Sequence, residues 1–164
     1  MESTEIIVLP DLIHVTVNRD NVDTVISQIL SRDIETGSFE SEPQKITIGT
    51  DAMVGCRLKG IVLICAHKKR DKRCSATAEL LMKEFSKEFV QRGIESQIAV
   101  YGTSHVGGHK FAGNVILFPS GDWYGRVRTC HVSFLVQEAL LAGSIVKDLW
   151  RGRMGHLGTD PKEW

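Results

Sequence analysis

Four residues of the chain have side chains suited to holding a metal, and they come in two pairs. Cys65 and Cys74 bracket the segment CAHKKRDKRC, and His105 and His109 bracket HVGGH. Thiolates and imidazoles are ligands for tetrahedral zinc and equally for a mixed-ligand [2Fe–2S] cluster. The long spacer between the cysteines is unlike the short knuckle of zinc fingers and unlike the redox C-x-x-C motif. Gly107 and Gly108 permit positive φ and a tight turn, so the histidines belong to a loop and not to one face of a helix. No glutamate follows His105, which separates HVGGH from the H-E-x-x-H metalloprotease pattern. Taken singly, each cysteine also fits a packed small hydrophobe. Only convergence of the two pairs favours a metal.

The elements that would position them read as α/β. GIVLICA (60–66) is a continuous apolar run, as in a strand buried on both faces. A helix is expected over 75–92, with Ala78, Leu81, Met82, Phe85 and Phe89 inward and Gly93 as its stop. SQIAVYG (96–102) supplies a second strand after a crossover long enough for a right-handed βαβ unit. NVILF (114–118) and WYGRV (123–127) flank the turn-rich PSGD and predict a hairpin. Thr129 is placed to cap a final helix carrying Val132, Leu135, Val136, Ala139 and Leu140, closed by Gly143. The order βαβ then ββα is that of a thioredoxin-like sheet. Ligand sites in open α/β sheets lie off the carboxyl ends of parallel strands. Cys65 ends the first of these strands and the histidine loop follows the second, so the topology alone brings both pairs to one edge.

Ahead of this unit, residues 1–45 read as an N-terminal helical extension. EIIVL (5–9) is a short strand, and Asn18 or Asp20 caps a helix with Val22, Val25, Ile26, Ile29 and Leu30 on one face. Residues 33–45 form an acidic loop. The thioredoxin-like domain is assigned to 46–155 and a flexible tail to 156–164.

In 164 residues, 42% hydrophobic and 24% charged, the formal net charge is zero. Residues 1–50 carry nine acids and three bases, leaving the basic excess to the remainder. That excess is too mild and too mixed for a nucleic-acid stripe. No apolar run approaches the roughly 18 residues of a membrane span, and the start has acids where a targeting peptide carries bases. Four cysteines are too few for a disulfide-stapled fold. The expectation is a cytoplasmic protein in a reducing environment, with no nucleic-acid or membrane partner.

Four blocks, LICAHKKRDKRC, SHVGGHKFAGNVILF, DWYGRV and DLWRGRMG, together resemble the sucrase/ferredoxin-like family, which includes the fungal actin-patch-distribution proteins. The likeness runs from about Leu9 to Gly155 with the blocks in family order. It implies a thioredoxin-like [2Fe–2S] ferredoxin domain whose ligands are Cys65, Cys74, His105 and His109. Fungal members usually have more chain before this module, so the sequence is expected to be a C-terminal domain or a short member. Despite the family name, no carboxylate pair suggests glycosidase chemistry. The implied role is a redox carrier and not an enzyme with its own substrate. A zinc-stabilised interaction domain and a labile-cluster sensor or donor use the same ligands.

Ser104, Lys110 and Asn114 are candidates for supporting hydrogen bonds around the ligands. The basic loop 67–73, with His67, Lys68, Lys69, Arg70, Lys72 and Arg73, is a candidate docking surface for an acidic, flavin-reductase-type electron donor. The last residues, Lys162-Glu163-Trp164, resemble a signal read by the cytosolic iron–sulfur assembly machinery, with Lys162 departing from its usual apolar residue. Cys56 and Cys130 are read as core or incidental thiols, and His14, His131 and His156 as structural.

Two neutral imidazoles in place of two thiolates leave an oxidised cluster site uncharged instead of doubly negative, which raises its potential, as histidine does in Rieske centres. Each ligating ring keeps a second nitrogen that can hold a proton. The midpoint potential is therefore expected to fall as pH rises, by up to about 59 mV per unit where one proton accompanies each electron. Voltammetry between pH 5 and 10 checks this, and a flat profile rules the coupling out.

Overall fold

The computed structural model describes residues 3–9, 12–31, 44–48, 53–69 and 72–154, with the side chains of Ser3, 44–48, 53–56 and His109 outside the description. Residues 33–43 of the acidic loop, Arg70 and the tail with Trp164 also lie outside it. The chain forms two compact units, 1–59 with 96–98, and 60–95 with 99–164.

The first unit contains the expected helix, α1 (Val22–Ser31), and also a four-stranded sheet that the sequence reading did not anticipate. Strands β1 (Ser3–Val8), β2 (Ile13–Asn18), β3 (Gln44–Ile48) and β4 (Met53–Arg57) are arranged in the order β1-β2-β4-β3, with every pairing antiparallel. In β2, Ile13, Val15 and Val17 are buried while His14 and Thr16 alternate outward, the two-residue period of a half-covered strand. These three residues pack with Val25 of α1 into a small core. Asn18 turns the chain into the helix: its Oδ1 accepts the backbone N–H groups of Asp20 and Asn21, and its own N–H donates to Asn21 Oδ1. Gln44 and Lys45, read as the end of the loop, are already strand.

The second unit is built on a five-stranded sheet of order β6-β5-β7-β8-β9. Its strands are β5 (Gly60–Cys65), β6 (Ile98–Thr103), β7 (Val115–Phe118), β8 (Asp122–Tyr124) and β9 (Trp150–Arg153). Lys59 N–H bonds Gln97 O at 2.7 Å, and Ala66 N–H bonds Thr103 O at 2.9 Å. Start meets start and end meets end, so β5 and β6 run parallel, as the crossover predicted. Helix α2 (Lys72–Arg92) makes that crossover and buries Cys74, Ala78, Leu81, Phe85 and Phe89 along one stripe. Every residue of β7 is buried, and β7 and β8 form the expected hairpin.

Three features depart from the sequence reading. WYGRV stops as a strand at Tyr124, because Arg126 takes φ of 59° and breaks the extended run. The last helix, α3 (Thr129–Phe134), is followed by a π-helical stretch over Leu135–Leu141. Its N-cap is Arg128 and not Thr129, with His131 Nδ1 accepting the Arg128 N–H. β9 is polar and lacks hydrophobic alternation, so its pairing with β8 was invisible in the sequence.

Two buried carboxylates hold these elements. Glu88 accepts from Arg92 Nε at 2.6 Å and from Ser133 Oγ at 2.9 Å, joining α2 to α3. Arg92 holds its carboxyl below the usual glutamate range, more strongly than burial raises it. Asp122, 3% exposed, takes both arms of Arg153 at 2.9 and 3.0 Å and the Trp150 indole N–H at 2.9 Å. Burial alone would raise the Asp122 pKa, but the hydrogen bonds from Arg153, Ser120 and Trp150 outweigh it and leave the value lowered. Its contribution to stability is therefore complete above the ordinary aspartate range and is lost as the pH drops through the depressed folded value. Asp122→Ala is expected to cost about 3 kcal/mol in urea melts at neutral pH, and the gap from wild type should shrink on acidification. A loss below about 0.5 kcal/mol, the size of an ordinary surface substitution, removes the pair from the frame of the sheet.

Candidate metal centre

Cys65 is the last residue of β5 and is 2% exposed. Cys74 lies in the first turn of α2, heads its buried stripe and is 1% exposed. Neither forms a disulfide. Of the residues between the two cysteines, Lys68 and Lys69 are exposed, and Lys72 and Arg73, also exposed, already belong to α2.

His105 follows β6 by two residues and is half-buried. Because β5 and β6 are parallel and tied at Ala66–Thr103, it leaves the same sheet edge as Cys65. His105 lies beside His67, ring centroids 6.1 Å apart. His67 carries a buried Nδ1 with no hydrogen-bond partner, a feature the sequence reading passed over as one more charge of the basic loop. His109 opens a 3₁₀ turn, His109–Phe111.

Asn114 is the brace between the pairs. It is 4% exposed, and its backbone oxygen accepts the Cys65 N–H at 3.1 Å. Its side-chain amide donates to Gly107 O at 3.2 Å and Gly108 O at 3.0 Å. One residue thus joins the end of the cysteine strand to the middle of H-V-G-G-H. Gly107 and Gly108 take φ of 92° and 61°, the left-handed turn expected between the histidines. Of the other two supporting candidates, Ser104 and Lys110 are both exposed, and Lys110 Nζ lies 5.0 Å from the Phe111 ring centroid.

Among the described residues no three His, Cys, Asp or Glu side chains are gathered as a metal-binding group. The donor types nevertheless fit a mixed thiolate–imidazole centre: the buried thiols of Cys65, at the end of β5, and Cys74, at the start of α2, are joined by a histidine loop that follows β6. Cys130, read as core or incidental, is exposed on α3. Cys56 lies on β4 opposite His14.

The sucrase/ferredoxin-like family model matches residues 1–152. The chain belongs to that family. It is 42% identical over 101 residues to the altered inheritance of mitochondria protein 32 of Debaryomyces hansenii, a match covering 58% of this chain and 36% of the relative. It is 34% identical over 97 residues to actin patches distal protein 1 of Saccharomyces cerevisiae, covering 52% of this chain and 31% of the relative. The matched stretch is thus about a third of the length of these curated relatives. Among solved structures, a thioredoxin-like [2Fe–2S] ferredoxin from Aquifex aeolicus superposes with a TM-score of 0.52 at 17% identity, covering 62% of this chain and 97% of that one. The fold is that of the thioredoxin-like ferredoxins. No described helix is long and apolar enough to cross a membrane.

Removing the Asn114 amide takes a donor from Gly107 O and from Gly108 O, the latter keeping only the Phe111 N–H, and loosens the histidine loop. Asn114→Ala is expected to cost about 1–3 kcal/mol and to accelerate amide hydrogen exchange over 105–113 more than elsewhere. Uniform acceleration along the chain instead makes Asn114 an ordinary core residue.

Proposed function

We propose that this chain is an electron-transfer iron–sulfur protein holding one [2Fe–2S] cluster through Cys65, Cys74, His105 and His109. The observation that supports the reading is the parallel tie between Ala66 and Thr103, beside Cys65 and the start of the histidine loop, in a fold like that of the thioredoxin-like ferredoxins. When bound, such a cluster supplies a one-electron couple.

The chain's own residues divide the work. Cys65 is fixed by its strand and Cys74 by its helix, so the thiolate side of the centre is rigid and shielded from water. The histidines stand on a loop held by Asn114, nearer solvent, where imidazole nitrogens not used for ligation can exchange protons. Because each pair is local in sequence, we assign the cysteines to one iron and the histidines to the other. Lys68, Lys69, Lys72 and Arg73 are exposed between the cysteines and give an acidic electron donor a place to dock. The cytoplasm suits cysteines that form no disulfide, as is the case for Cys65, Cys74 and Cys130.

Anaerobic purification with iron, zinc and sulfide analysis and a visible spectrum tests the assignment. The expected result is two irons and two acid-labile sulfides per chain, with charge-transfer bands lost in Cys65→Ser and Cys74→Ser. In His105→Cys and His109→Cys the bands shift and the potential drops. One zinc, no sulfide and a flat visible spectrum would falsify electron transfer and leave a structural zinc domain.

A further inference from the structure

Two of the four sequence blocks, DWYGRV and DLWRGRMG, hold none of the proposed ligands. In the fold they meet at Phe111, two residues after His109. Arg151 lies 3.5 Å from the centroid of the Phe111 ring, Arg126 5.0 Å from it, and both line one cleft of about 270 Å³. Lys110 adds a third cation at 5.0 Å from the same ring. The backbone is bent to allow this. Arg126 occupies the left-handed region at φ of 59°, a conformation costing a side chain of its size about 1 kcal/mol or more. Its N–H is fixed on Phe111 O at 3.1 Å. A Cβ on Gly125 would fall 2.5 Å from Arg151 Cδ and 3.2 Å from Phe111 Cβ, so a glycine there lets Arg151 reach the ring.

The ring quadrupole attracts each cation but neutralises none of them. Among the described residues, neither the Arg126 nor the Arg151 guanidinium has a hydrogen-bond or ion-pair partner. Arg92 and Arg153 of the same unit, by contrast, are paired with carboxylates. Among the described residues, the one carboxylate lining the cleft is Asp148, at its exposed rim. Strained backbone, a required glycine and two planar donors without carboxylate partners, both at the exposed mouth of one small cleft, are features suited to an anion.

We propose that Phe111, Arg126 and Arg151 form a binding site for the phosphoryl group of a small phosphate monoester. Two guanidinium forks offer more donors than a single carboxylate can use, and they suit the several oxygens and near-double charge of a phosphate. The volume lies below the roughly 300–1,000 Å³ of pockets that enclose whole drug-sized ligands. The cleft therefore grips the phosphoryl end and leaves the rest of the molecule outside. Asp148 repels the anion and weakens binding. The site is independent of the metal reading and stands whether or not a cluster is present.

Calorimetric titration of the whole chain, as purified, with inorganic phosphate at constant ionic strength tests it. Saturable one-to-one binding is expected. Arg126→Gln and Arg151→Gln should each weaken it about tenfold or more, the worth of a charge-assisted hydrogen bond. Arg151→Lys, which keeps the charge and loses the fork, should fall between. Asp148→Asn, on the exposed rim, should tighten binding several-fold. Heats that do not saturate, or an affinity indifferent to both Arg151→Lys and Asp148→Asn, overturn the proposal and leave the arginines as packing for Phe111.

Discussion

The parallel alignment of β5 and β6 is the constraint on which the candidate metal centre depends. Two strands joined by a crossover helix must point the same way, and hydrogen bonds at both ends, Lys59 to Gln97 and Ala66 to Thr103, lock them without slippage. A slip of one residue would turn every side chain of β6 to the other face of the sheet. With the register set, the residues that follow both strands emerge at one edge. Cys65 is then placed by β5, Cys74 by the first turn of the crossover itself, and His105 by the exit from β6.

Around that edge the chain uses rigid and adaptable parts differently. The cysteines sit in the core, on a strand end and on a helix whose buried stripe continues through Ala78, Leu81, Phe85 and Phe89. The histidines lie on a glycine turn whose shape is set by Asn114, a buried amide with both loop carbonyls as acceptors. Such an amide is costly to bury unless it is bonded, so the loop and the strand end constrain each other. The same economy governs the buried carboxylates. Glu88 and Asp122 are matched to arginines and hold α2 to α3 and β8 to β9. The arginines beside Phe111 have no such match.

Length of apolar run and helical periodicity were enough to read β5, α2, β7 and the inward face of α2 from the amino-acid sequence. These signals are local: burial on both faces demands an unbroken run such as GIVLIC, and a helix against a sheet demands an apolar stripe. The two donor pairs and the left-handed turn at Gly107–Gly108 were legible for the same reason, since residue type and short spacing carry them. The alternation of β2 was present in Ile13, Val15 and Val17, but it was outweighed by the stronger helical pattern that follows.

Only the tertiary structure decided the rest. β9 has no apolar pattern and exists because Arg153 and Trp150 find Asp122 across the sheet. Arg128 caps α3 in place of Thr129. His67 meets His105, and Phe111, Arg126 and Arg151 gather from three distant segments into one cleft. Apart from the Arg128 cap, each of these rests on a polar or cationic contact between residues far apart in the chain. Such contacts have no period along the sequence, and their energy is set by distance and desolvation, which exist only once the backbone is folded.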